Sequence, residues 1–103
     1  MERNYIVIVW NYNGKTSTYY LEFEGDYAIK HLQFSKEYVL LLDDVHPHIG
    51  DDWITDGTLS SMDLDNTDHE NIICRSITAD KFYSLWDYMK GHYGYGRTIL
   101  QSH

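Results

Sequence analysis

The apolar residues near the end of the chain follow the spacing of an amphipathic helix. Residues at positions i, i+3, i+4 and i+7 of this stretch fall on one stripe: Phe82, Leu85, Trp86 and Met89. Thr78 can cap the first free backbone amides, and Gly91 suits the left-handed conformation that often ends a helix. The pattern predicts a helix over about residues 78–90 with one buried face, which needs a sheet to cover.

Two runs of β-branched and aromatic residues at the start of the chain predict a β-hairpin. The runs cover residues 5–10 and 16–24. Between them stands Asn13-Gly14, the dipeptide that a two-residue type I′ turn prefers. The chain is therefore expected to begin with an N-terminal hairpin.

This two-residue turn specifies which residues of the two strands oppose each other. Ile6 then faces Leu21 on one surface of the hairpin, and Tyr5 faces Glu22 on the other. The first surface is richer in apolar side chains, so we expect it to pack against the helix. Its residues are Ile6, Ile8, Trp10, Tyr19, Leu21 and Phe23. We expect the second surface, which also carries Tyr20, to stay partly in water.

Four further stretches have the composition of strands. An apolar run at residues 37–43 predicts a central strand covered on both faces, and residues 72–77 predict a strand that leads directly into the helix. Residues 27–34 are assigned to a strand, and residues 98–100 to an edge strand. The sequence therefore predicts one α+β domain over residues 1–103, with an antiparallel sheet of four to five strands and one helix on one face.

Charge and composition narrow the class of protein. Sixteen acidic and eight basic residues give a net charge of −8, which repels a phosphate backbone and favours a basic partner protein. The single cysteine, Cys74, fits a reducing compartment, and the chain shows neither a signal peptide nor an apolar run of the length a membrane span needs. We expect a cytoplasmic protein that binds neither nucleic acid nor membrane directly. Its aromatic content also allows a homodimer.

More than half of the acidic residues lie in about a quarter of the chain. Residues 43–70, here called the acidic segment, contain no lysine or arginine and are expected to form a long loop. A loop of this kind is either functional or a solvated connection whose aspartates cap turns. As a functional site, it predicts a docking surface for a basic partner, because aromatic anchors supply affinity and a negative field steers encounter. The predicted partner-binding residues are Asp43, Asp44, Asp51, Asp52, Trp53, Asp56, Asp63, Asp65, Asp68 and Glu70.

The same segment offers a metal-binding alternative. His46 and His48 are separated by one residue, and carboxylates that could complete a metal site flank them: Asp43, Asp44, Asp51 and Asp52. Such a set would suit a metal-dependent hydrolase. Cys74 lies in an apolar strand, where a buried inert thiol is the expected state. We predict no catalytic residue, no metal site and no cofactor.

An acidic domain with one charged docking segment is typical of small inhibitors. By class, the chain resembles phage anti-defence inhibitors of the anti-CRISPR type and immunity proteins that neutralise nuclease toxins; no motif separates the two. We predict an inhibitor that occupies the basic surface of a nucleic-acid-processing enzyme. It can act as a nucleic-acid mimic or through a docking loop dominated by Trp53. The irregular pattern of the acidic stretch favours the docking loop. The alternatives are a toxin immunity protein and the hydrolase that uses His46 and His48.

Overall fold

A computed structural model describes residues 2–62 and 71–100, and it contains a six-stranded antiparallel sheet with one helix on one face. In chain order the elements are β1 (Arg3–Tyr12), β2 (Lys15–Glu24), β3 (Tyr27–Phe34), β4 (Tyr38–Asp43), β5 (His48–Ile49), β6 (Asp52–Trp53), β7 (Ile72–Ser76), α1 (Ala79–Tyr93) and β8 (Gly96–Ile99). The main sheet has the order β7-β1-β2-β3-β4-β8, and β5 pairs with β6 alone. The predicted α+β class is confirmed, with one strand more than expected, since β7 and β8 both pair at the edges.

The N-terminal hairpin forms in the predicted register. Ile6 opposes Leu21 and Tyr5 opposes Glu22. The turn between the strands has positive φ at both central residues, 51° at Asn13 and 76° at Gly14. A type I′ turn requires this backbone conformation, and an Asn-Gly pair adopts it at little cost.

The helix packs on the hairpin surface that we expected to be wet, so the prediction of the covered surface was wrong. The ring of Tyr5 lies 5.3 Å from that of Phe82, and Tyr20 packs on the same core cluster. This surface, the helix face of the sheet, carries the cluster of Leu32, Val39, Leu41, Phe82 and Trp86. Both hairpin surfaces carry apolar side chains, and the helix covers the one that continues into Leu32, Val39 and Leu41.

The opposite surface, the segment face, is covered by the acidic segment. Its buried cluster contains Ile6, Leu21, Phe23 and Cys74. Leu59 and Met62 of the acidic segment pack against this cluster, and a 3₁₀ turn spans Leu59–Ser61. The described part of the segment is therefore a second layer over the sheet as well as a connection.

Helix α1 buries the predicted stripe. Phe82 and Trp86 are buried, and the hydroxyl of Thr78 accepts the backbone N–H of Lys81 at 3.2 Å, as expected for an N-cap. The helix continues past Gly91 and ends at Gly94, whose φ of 77° allows the terminal turn. In the described part of the chain, no helix has the length and apolar character needed to cross a membrane.

Candidate docking surface

Asp43 is buried at the end of β4, and groups of the same chain bind its carboxylate. Its Oδ1 accepts the backbone N–H groups of Val45 (3.0 Å) and His46 (2.7 Å), and its Oδ2 accepts the hydroxyl of Tyr95 (2.6 Å). Burial alone would raise the pKa of Asp43, but these hydrogen bonds hold it below its ordinary value. Asp43 closes the turn that begins the acidic segment and is not accessible for docking.

Asp52 has its charge compensated by Arg97. The carboxylate accepts Nε of Arg97 at 3.0 Å and a terminal guanidinium nitrogen at 2.7 Å, a bidentate pair. The guanidinium also lies 4.2 Å from the ring centroid of Tyr38. The hydrogen bonds from Arg97 lower the pKa of Asp52, although burial by itself would raise it. This pair ties β6 to β8, so Asp52 serves mainly to hold the small hairpin on the main sheet.

The β5–β6 hairpin presents Trp53 to solvent. The indole is 65% exposed, although the ring of His48 stacks on it with centroids 3.8 Å apart and planes 7° apart. His48 opposes Trp53 in the hairpin, and the backbone N–H of Ile54 donates to the carbonyl of Pro47 at 2.7 Å. One face of the indole is therefore supported by the protein, and the rest remains available for contact.

Residues near Trp53 in the sequence are also exposed. We define the Trp53 patch as Val45, Pro47, His48 and Trp53, all of which are exposed. Three predicted carboxylates of the same stretch are also exposed: Asp44, Asp51 and Asp56. The other predicted site residues, Asp63, Asp65, Asp68 and Glu70, lie outside the described residues. The Trp53 patch with its three carboxylates has the composition expected of an anchor surrounded by charge.

The two histidines of the metal-binding alternative take part in other contacts. The ring of His46 stacks on Tyr95 with centroids 4.4 Å apart, and its Nδ1 lies 3.3 Å from Oδ1 of Asp43. His48 stacks on Trp53. Within residues 2–62 and 71–100, no group of three or more His, Cys, Asp or Glu side chains is arranged to hold a metal ion.

A chain of hydrogen bonds that the sequence did not indicate joins the acidic segment to the sheet. Nδ1 of the buried His31 accepts the backbone N–H of Thr55 at 3.1 Å, so the ring is neutral and its Nε2 donates to Gln33 Oε1 at 2.9 Å. Gln33 then donates to the hydroxyls of Tyr19 and Tyr38. Burial lowers the pKa of His31. In the sheet His31 lies opposite Leu21 and Leu42, a position that only the strand pairing reveals.

A second buried polar group lies on the helix face. Glu22 has no exposed surface, and its Oε2 accepts a guanidinium N–H of Arg3 (3.0 Å) and the hydroxyl of Tyr5 (3.1 Å). Its Oε1 accepts the hydroxyl of Tyr83 (2.6 Å) and lies 3.1 Å from Nζ of Lys30. Burial would raise the pKa of Glu22, but these partners lower it. The cluster connects the helix to the sheet and has a structural role.

Comparisons of the chain with models of known protein families, with curated proteins and with solved structures found no significant match. Within the described surface, the Trp53 patch presents an exposed aromatic ring that His48 supports. Asp44, Asp51 and Asp56 of the same stretch are exposed, and among the described residues none of them forms an ion pair like that of Asp52 with Arg97. That combination suits recognition of a basic protein surface.

Proposed function

We propose that this chain is a non-enzymatic inhibitor that docks its acidic segment on a basic, nucleic-acid-binding surface of a partner protein in the cytoplasm. The observation that carries the proposal is the exposure of Trp53 on a hairpin that holds it in place. An aromatic side chain that is already ordered loses little conformational freedom on binding, so more of its contact energy appears as affinity.

Electrostatics supports the same kind of partner. The chain carries a net charge of −8, and Asp44, Asp51 and Asp56 place exposed carboxylates in the stretch that contains Trp53. A negative field of this kind accelerates encounter with a positively charged surface. Surfaces that bind nucleic acid are basic because they neutralise phosphates, so they complement the Trp53 patch and its carboxylates.

An immunity protein that neutralises a nuclease toxin would use the same chemistry at the same surface. The two functions differ in the identity of the partner, which is either a host defence enzyme or a toxin. The partner captured on the tagged protein therefore distinguishes them.

The test begins with affinity capture of the partner from a lysate and its identification by mass spectrometry. Surface plasmon resonance then compares the wild type with Trp53→Ala and with Tyr88→Ala, a control of similar exposure (64%) on the helix. We expect Trp53→Ala to weaken binding by about 30-fold, mainly through faster dissociation, and Tyr88→Ala to have little effect.

A competition assay tests the inhibitory step. Adding the chain should displace a labelled nucleic acid from the captured partner. The proposed function is wrong if Trp53→Ala binds like the wild type, or if the bound partner retains its nucleic acid at saturating concentrations of the chain.

A further inference from the structure

A cleft of about 360 Å³ opens on the segment face, between the sheet and the acidic segment. Its volume falls within the range of small-molecule pockets and is more than twice that of an apolar cavity of about 150 Å³ that binds benzene. Strands of the sheet form its floor, and Thr55 and Met62 form the wall on the segment side. The lining residues are Ile8, Trp10, Tyr19, Leu21, His31, Gln33, Thr55, Met62 and Ile72.

The described lining of this cleft carries no charge, although the protein is strongly acidic. Among residues 2–62 and 71–100, no Asp, Glu, Lys or Arg lines the cleft, and His31 is neutral because its Nδ1 accepts a backbone N–H. Transfer of a charged molecule into such a site would leave the charge without a compensating partner. The cleft therefore selects for neutral ligands.

The hydroxyl of Tyr19 offers a hydrogen-bond donor to the cleft. The hydroxyl oxygen of Tyr19 accepts Nε2 of Gln33 at 3.1 Å, which leaves the phenolic hydrogen to donate. Burial raises the pKa of Tyr19, so the phenol keeps this hydrogen at neutral pH. Gln33 is in turn held by His31, so the donor is oriented before any ligand arrives.

The mouth of the cleft is apolar and partly aromatic. Trp10 and Ile72 oppose each other across β1 and β7 and are 42% and 40% exposed. Within the cleft, the ring of Tyr19 meets His31 edge-on, with centroids 5.9 Å apart. Aromatic surfaces of this kind make their most extensive contact with a flat, planar ligand.

We propose that this cleft binds a small, neutral, planar aromatic molecule of two or three fused rings that carries one hydrogen-bond acceptor, recognised by the Tyr19 hydroxyl. The site is separate from the Trp53 patch and does not depend on the docking function. A two- or three-ring molecule matches the volume, and the acceptor matches the oriented donor of Tyr19.

Quinoline is a suitable probe because it has two fused rings, one ring nitrogen that accepts a hydrogen bond, and no charge near pH 7. A titration followed by two-dimensional ¹H–¹⁵N NMR should give saturable shifts of the amides of Ile8, Leu21 and Gln33. Tyr19→Phe should weaken quinoline binding by about five-fold, the effect of one hydrogen bond. Naphthalene, which has the same shape without the acceptor, should bind the wild type and Tyr19→Phe equally.

Two variants locate the probe. Ile72→Trp at the exposed rim should block the mouth and abolish the shifts, whereas Trp53→Ala should bind quinoline like the wild type. The proposal is overturned if no saturable shifts appear at up to about 5 mM quinoline, where a millimolar site would be mostly filled. Quinoline binding that persists unchanged in either Ile72→Trp or Tyr19→Phe would also overturn it.

Discussion

The backbone N–H of Thr55 donates to Nδ1 of His31 over 3.1 Å, so the acidic segment is bonded to a buried histidine of the central sheet. His31 lies on β3 and is only 5% exposed. The bond requires a free electron pair on Nδ1, which a doubly protonated imidazolium does not have. This hydrogen bond between the segment and the sheet therefore requires the neutral ring.

Acidification from about pH 7.5 to about pH 5.5 should destabilise the fold. Burial lowers the pKa of His31 below the ordinary value of about 6.5, so the unfolded chain binds more protons between the two pKa values. Stability then rises with pH across this window and decreases as the pH falls from about 6.5 to the folded pKa. Urea unfolding at both pH values measures the change.

The control for this effect is His31→Gln, which does not titrate in the window. Its pH dependence should be smaller than that of the wild type, and equal dependence in the two proteins would contradict the prediction. Asp43 and Glu22 also have lowered pKa values, but stability linked to such carboxyls is lost only below about pH 5.

Glu22→Gln should reduce the free energy of unfolding by about 2 kcal/mol, as measured by urea denaturation. The substitution preserves the shape of the side chain but removes the negative charge that Arg3 and Lys30 share, and it weakens the bond from Tyr83. Glu24→Gln is the matched control, since Glu24 pairs with Arg3 near the surface and should be almost neutral. Equal stability of the two variants would show that the buried cluster does not stabilise the fold.

Trp86→Ala should destabilise the protein by about 3–5 kcal/mol, because the buried indole on the helix face would leave a cavity. Tyr88→Ala removes an aromatic ring from the exposed side of the same helix and should change stability little. Thermal or chemical denaturation compares the two. A small effect of Trp86→Ala would mean that the helix does not cover the sheet as described.

Neutralising the exposed carboxylates of the docking surface should slow association with the captured partner. The triple variant of Asp44, Asp51 and Asp56 to Asn should lower the association rate and flatten its salt dependence, with a smaller effect on dissociation. Surface plasmon resonance at two salt concentrations measures both rates. A control of equal net charge changes exposed acids outside the acidic segment: Glu37→Gln, Asp80→Asn and Asp87→Asn. Equal association rates of the two triple variants would argue against docking through the acidic segment.

Local patterns were sufficient to predict the elements of the fold. Asn13-Gly14 specified both the turn and the register of the first hairpin, because few other residue pairs adopt positive φ at two successive positions. The helical stripe and the cap at Thr78 likewise depend on residues within a few positions of one another. The end of the helix was predicted three residues too early, since Gly91 is tolerated inside it and Gly94 provides the cap.

Only the tertiary structure decided which hairpin surface the helix covers and which acidic residues stay exposed. Both surfaces of the hairpin carry apolar side chains, so the choice of the surface that the helix covers depends on β3, β4 and the path of the chain into α1. In the sequence the aspartates of the acidic segment look equivalent. Asp43 is bound by Tyr95, 52 positions away, and Asp52 by Arg97, 45 positions away. Local composition does not encode contacts over such separations, because they form only when the sheet brings distant parts of the chain together.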